Sequence, residues 1–244
     1  RVAMLVLGDL AWLTIVPLAL VVRDAPAEPT APASPGLRQA PEPDLGLLEI
    51  GRTPQFWLIA LTHFTCCVAH SGPIFHMVAN ATDHGVAQMA AAAVFGVSSL
   101  ASIGGRIASG FLADRLGSKP TLVALLCLQA PAILLYVFAR ETASFYAIAL
   151  VFGVAYGGVM PLYALLTRES FGARAMGGAY GAIYMLQAIG MGLGAFAGGW
   201  LYDRLGGYGW SFATAAAIGA AAVLVALTLR APRLALRRPM QAPA

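Results

Sequence analysis

The chain is a succession of long apolar stretches separated by short polar breaks. Seven stretches approach or exceed the roughly 20 residues that a helix needs to cross a bilayer. They are Val2–Val22, Phe56–Val78, Val86–Leu112, Thr121–Ala139, Phe145–Leu166, Gly178–Leu201 and Phe212–Leu229. Between Asp24 and Asp44 the pattern stops, and Pro26, Pro29, Pro32, Pro35, Pro41 and Pro43 stand among Ala, Glu and Ser. Such a segment cannot bury apolar surface and predicts an extended linker. The pattern therefore predicts an all-α membrane protein. One span (1–22) is followed by a linker (23–53), six closely connected spans (54–230) and a basic tail (231–244).

Composition agrees with a membrane protein. Of 244 residues, 59% are hydrophobic and 11% charged, against about 25% charged in a soluble domain. Glycines fall inside the apolar runs, where small residues let helices approach closely. Gly190, Gly194 and Gly198 make one stripe, and Gly153, Gly157 and Gly158 another. Pro73 and Pro161 lie within spans and predict kinks. Cys66, Cys67 and Cys127 all lie in apolar runs and are expected to be buried free thiols. The chain opens at Arg1 directly into an apolar run, as expected of a fragment of a longer protein.

Charge placement sets an orientation. With the linker side taken as inside, alternating spans put 11 of the 15 Lys and Arg inside. Arg1, Arg140 and Arg204 fall outside, and Arg106 lies within a span. The excess of basic residues on cytoplasmic loops then places the linker and the C-terminal tail in the cytoplasm.

Two segments share the pattern G-x-x-x-D-R-L-G, 89 residues apart: Gly110 to Gly117, followed by Ser118-Lys119, and Gly199 to Gly206. Gly110 and Gly117 allow helix ends to approach and the chain to reverse. Asp114 and Arg115, with Lys119, are candidates for a latch that holds one conformation by charge-assisted contacts. The alternative is a simple polar turn. The copies close the second and fifth of six helices and face opposite sides, as an inverted three-plus-three repeat requires. The Asp114 copy resembles the loop signature of the major facilitator superfamily, and the Pro-rich segment resembles that family's central cytoplasmic loop. The resemblance implies helix six followed by the six-helix C-terminal bundle, made of two inverted three-helix repeats. It also implies alternating access, with helices one to five of the same protein as partner.

Charged side chains inside a span are costly, so each is a candidate site. Arg106 lies eight residues before Asp114, about 12 Å deeper at 1.5 Å per residue. It suits two-pronged binding of a carboxylate, or else snorkels or pairs with Asp114. Ser102 is one turn away on the same face. Gly104-Gly105-Arg106 resembles helix eight of the oxalate/formate antiporter and monocarboxylate transporter branch, which implies that Arg106 binds substrate carboxylate. Tyr180 to Leu201 lacks the lysine of the oxalate exchanger pattern, which favours a monocarboxylate. Tyr156, Tyr184 and Gln187 are further cavity candidates, and His70 a possible substrate ligand. Asp9 and His76 are candidates for proton coupling.

These residues point to a secondary transporter of a small monocarboxylate or related organic anion, working by proton symport or exchange. Alternatives are an efflux pump for amphipathic compounds and a membrane-embedded metalloenzyme built on His63, Cys66, Cys67 and His70. Four ligands on one straight helix cannot surround a metal, so no metal is expected. No nucleotide-binding loop or catalytic triad pattern occurs. The expectation is a non-enzymatic protein without cofactor or nucleic-acid partner. Its surroundings are the lipid bilayer, most simply a bacterial cytoplasmic (inner) membrane.

Overall fold

The computed structural model describes residues 2–21 and 46–230. The expected linker up to residue 45 and the basic tail lie outside them. The chain divides into two units, Arg1–Pro41 and Glu42–Ala244. In the first, α1 (Val2–Val21) is a 20-residue apolar helix that carries Asp9 on an exposed position.

The second unit begins with a short helix that the apolar pattern did not predict, α2 (Leu47–Gly51). Glu49 accepts a hydrogen bond from the Gly46 N–H at 3.1 Å, and Ile50 is buried in the core. Six long helices follow: α3 (Pro54–Asp83), α4 (Gln88–Leu116), α5 (Ser118–Leu135), α6 (Thr142–Phe171), α7 (Met176–Leu205) and α8 (Tyr208–Thr228). Each is long and apolar enough to cross a membrane. Thr53 caps α3 by accepting from the Phe56 N–H at 3.3 Å, and Pro54 supplies a first residue with no N–H to satisfy.

Several helices run past their apolar stretches. Hydropathy marks only the lipid-facing length, whereas backbone hydrogen bonds carry a helix on until something stops it. The stops here are Gly85, Gly117, Gly172 and Gly206, which have φ of 80°, 93°, 87° and 71°. Only glycine adopts that region freely. In contrast, α5 ends before the predicted Ala139. Tyr136, Val137 and Phe138 turn their N–H groups to carbonyls three residues back, and Arg140 donates to Val137 O and Ala139 O at 2.9 and 2.7 Å.

The six spans form two repeats, α3–α4–α5 and α6–α7–α8. The interval from Pro54 to Pro73 equals that from Thr142 to Pro161, and Gly85 and Gly117 correspond to Gly172 and Gly206 within a residue. The repeats exchange partners: α4 packs along α6 as α7 packs along α3, and α5 against α6 as α8 against α3. Both long contacts rest on glycine. A Cβ on Gly105 of α4 would collide with the Val154 carbonyl of α6, and one on Gly157 of α6 with the Ser102 backbone. A Cβ on Gly194 of α7 would collide with Ser71 and Val68 of α3. The glycine stripes of the sequence are thus the surfaces on which the two repeats meet.

Candidate functional site

Helices α3, α4, α6 and α7 each send a polar side chain to one region of the bundle. On α4 the buried stripe Ser98, Ala101, Ser102, Gly105 and Ser109 faces α6. Arg106 stands beside this stripe and is exposed. Tyr156 of α6 stands near Arg106, on helices whose backbones meet at Gly105 and Val154 and at Ser102 and Gly157. Tyr184 of α7 stands in the same region of the bundle. Its side chain is 54% exposed, and its ring lies 5.9 Å from that of Tyr180. His70 of α3 lies on the inner side of this group, with its ring 5.0 Å from the Tyr156 ring. The bundle's carboxylates, Asp83, Asp114, Glu141, Glu169 and Asp203, all stand at or near helix ends. None lies at the depth of Arg106. The arrangement presents an exposed guanidinium and two phenols, with no acidic group beside them.

The other candidates from the sequence lie elsewhere or deeper. Ser102 is buried and donates to Ser99 O at 2.7 Å, so its hydroxyl is turned to its own helix. Gln187 is 5% exposed; its Nε2 faces Met191 Sδ at 3.9 Å and its Oε1 is enclosed without a partner. His76 is drawn into the α3–α7 seam. Its Nε2 lies 3.0 Å from Ala195 O, and a Cβ on Gly198 would lie 2.7 Å from its ring. Asp9 belongs to the separate α1 unit.

At the end of the bundle that carries Lys119, Asp114 and Arg115 are exposed. Gly110 has open space where a Cβ would stand, and the Gly117 N–H closes α4 onto Ala113 O at 2.9 Å. The Lys119 ammonium is engaged within the bundle. It donates to Leu227 O at 2.9 Å and to Leu229 O, tying the start of α5 to the end of α8. Ser118 donates to the Glu169 carboxylate, tying α5 to α6. Neither contact was foreseen, because partners 51 and 108 residues apart leave no local signal.

Beneath the site is a buried polar cluster. The His63 ring stacks on Tyr163 of α6 at 3.8 Å and 9°, with both ring nitrogens enclosed and unpartnered. The Cys66 thiol donates to Gln129 Oε1 of α5 at 3.6 Å, and its sulfur lies 3.7 Å from His70 Nδ1. Gln129 is a polar residue in an apolar run, a contrast that the sequence itself displays. Cys66 and Cys67 are buried free thiols, whereas Cys127, expected to be buried, is exposed on α5. The bundle's outer surface is apolar here, so exposure means a place facing lipid or another helix. Among the described residues, no three of His, Cys, Asp or Glu are grouped as metal ligands would be. At the far end of the bundle, Asn80, Asp83, Arg140 and Tyr208 line a separate cavity of about 320 Å³.

Comparison with known proteins places this arrangement. The Major Facilitator Superfamily model matches residues 1–195. YhjX, an MFS-type transporter of Escherichia coli (strain K12), is 30% identical over 188 residues, 75% of this chain and 45% of that protein. Monocarboxylate transporter 13 of Rattus norvegicus is 28% identical over 159 residues, 64% of this chain and 37% of that protein. The crystal structure of the E. coli fucose:proton symporter superposes with a TM-score of 0.67 at 18% identity, over 90% of this chain and 53% of that one. That likeness shows a shared fold. The chain spans less than half the length of the curated relatives it matches.

Proposed function

The chain belongs to the major facilitator superfamily, and from that premise we propose that it forms part of a secondary active transporter for a small monocarboxylate or related organic anion. The observation that carries this is Arg106. It is a permanent cation at mid-span, beside two phenols, with no carboxylate at its depth. A cation so placed needs a counter-charge. A substrate carboxylate supplies one through two parallel hydrogen bonds, with Tyr156 and Tyr184 as further donors. The printed name of the rat relative supports the same substrate class.

Transport proceeds by alternating access, by proton symport or exchange. Further helices of the same protein complete the cavity opposite Arg106, Tyr156 and Tyr184. Arg52, Arg115, Lys119, Arg168, Arg174 and Arg230 stand at one end of the bundle, against Arg140 and Arg204 at the other. The richer end faces the cytoplasm, and the membrane is a bacterial inner membrane. Asp114 and Arg115 form the movable part of a latch there, and Lys119 braces its base.

The test is the carboxylate affinity of the complete protein, measured for wild type, Arg106→Lys and Arg106→Ala. Affinity should fall at least tenfold in Arg106→Lys, which keeps the charge but loses the planar fork, and should vanish in Arg106→Ala. Removing one partner of a desolvated charge pair costs about 2–5 kcal/mol. Full affinity in a folded Arg106→Ala protein would refute the carboxylate site and leave efflux of amphipathic compounds as the better account.

A further inference from the structure

At the end of the bundle away from Lys119, the ends of α3 and α5 and the start of α8 enclose the cavity of about 320 Å³. Its wall carries charges of both signs. Asp83 ends α3, and Arg140 follows α5. The two line one space, yet among the described residues no ion pair joins them. Arg140 Nη1 donates instead to Val137 O and Ala139 O. That leaves the N–H groups of Nη2 and Nε for a further acceptor.

Asn80 lies in the same wall. It is 2% exposed, and its Nδ2 is enclosed without a partner. Its backbone carbonyl is already used, because His84 Nδ1 donates to it at 2.8 Å. A buried donor is costly unless something accepts from it. α8 adds more donors. It starts after Gly207 with no side-chain cap, and its first N–H groups have no intrahelical partner. Gly206, Gly207 and Gly209 place no side chain in this part of the wall. Donors from three elements thus share the cavity with one lining carboxylate, Asp83. A simple anion would suit the donors but be repelled by Asp83. A simple cation would be repelled by Arg140 and by the positive end of α8. A zwitterion satisfies both sets.

The cavity stands where the spans end, at the depth of lipid headgroups. Beside it, Leu134, Leu135, Phe138 and Trp210 are 42, 48, 68 and 63% exposed, an apolar surface for acyl chains. Bilayer lipid is present at this depth at a concentration that no solute reaches, so mass action favours it. We propose that this cavity binds the headgroup of a phospholipid bearing a primary amine, such as phosphatidylethanolamine. The phosphate oxygens accept from Asn80 Nδ2, from the first N–H groups of α8 and from Arg140. The ammonium donates to Asp83. The lipid then joins α3, α5 and α8 at this end, as Lys119 joins α5 to α8 at the other. None of these groups belongs to the region of Arg106.

The experiment is native mass spectrometry of the complete protein, delipidated in detergent and titrated with dioleoyl phosphatidylethanolamine or dioleoyl phosphatidylglycerol. Both carry the phosphate and the chains, but only the first carries an ammonium. Wild type should hold one phosphatidylethanolamine about tenfold more tightly than phosphatidylglycerol, the size of one charge-assisted hydrogen bond. Glycerophosphoethanolamine, which has the headgroup without the chains, should bind at least about tenfold more weakly than the lipid. Asp83→Asn should bring the ratio between the two lipids close to one. A merely structural Asp83 would change the stability of the variant and leave that ratio unmoved. A Cβ on Gly209 would stand 4.0 Å from Val137 Cγ1, and both residues line the cavity. The methyl groups of Gly209→Val should therefore fill it and weaken both lipids. A ratio near one in wild type, an unchanged ratio in Asp83→Asn, or equal binding of the chain-free headgroup would overturn the proposal. Should Asp83→Asn not fold, undiminished binding by Gly209→Val would overturn it as well.

Discussion

A guanidinium part-way through an apolar helix is tolerable only where it meets a partner or water. Arg106 stands near a phenol, Tyr156, and is exposed on the bundle. Asp114, the nearest carboxylate on its helix, is itself exposed two turns away at the helix end. The proposed latch needs that exposure: Asp114 would contact a second bundle in one conformation and release it in the other. Asp114→Asn should therefore shift the balance between inward- and outward-facing states, read as a severalfold change in cysteine-labelling rate at the two cavity mouths. Unchanged labelling and unchanged transport would reduce Asp114 to a turn residue. At this scale the sequence was informative where chemistry contrasts with surroundings. Arg106 stood out because it is charged among apolar neighbours, and Tyr156 because it shares that stretch of membrane. The seating of His76 against α7 was not legible, since it depends on Gly198, 122 residues away. The stacking of His63 on Tyr163 was hidden for the same reason.

At the scale of elements, glycine determines which helices meet and where they stop. Gly104 and Gly105 are neighbours on α4 with opposite surroundings. A Cβ on Gly104 meets nothing within 4 Å, whereas one on Gly105 runs into the Val154 backbone. A backbone cannot yield as a flexible side chain does. Gly105→Ala should therefore cost about 1–3 kcal/mol by overpacking, and lower the melting temperature of the detergent-solubilised protein by several degrees. Gly104→Ala should leave it unchanged or slightly raised, because alanine is the better helix former. Equal effects at the two positions would contradict the α4–α6 packing. All six spans of the bundle were legible from apolar length alone, and the G-x-x-x-D-R-L-G copies marked two of their ends. Other ends were misplaced because polar residues such as Thr82 and Asp83 continue the helix beyond the apolar run. The helix α2 was missed because five residues carry too short a pattern. It is held by one buried side chain, Ile50, and by the Glu49 contact to Gly46.

At the scale of the molecule, the two repeats interlock so that each one's middle helix lies along the other's first. His70 of α3 and Tyr156 of α6 then meet, and α4 and α7 bring Arg106 and Tyr184 to the same region. His70 and Tyr156 come from the first helices of the two repeats, and Arg106 and Tyr184 from the second. A site built from corresponding helices of inverted repeats is what alternating access about a midplane needs. Lys119 and Ser118 tie the bundle together at one end through α8 and α6, as the proposed latch of Asp114 and Arg115 requires. The central claim is that this body carries an organic anion on Arg106. Its most direct test is saturable uptake of labelled monocarboxylate into proteoliposomes containing the complete protein, with wild type and Arg106→Lys compared at equal reconstitution. The account predicts uptake by wild type that unlabelled carboxylates inhibit, and at least a tenfold loss in Arg106→Lys; equal uptake by the two proteins would contradict it.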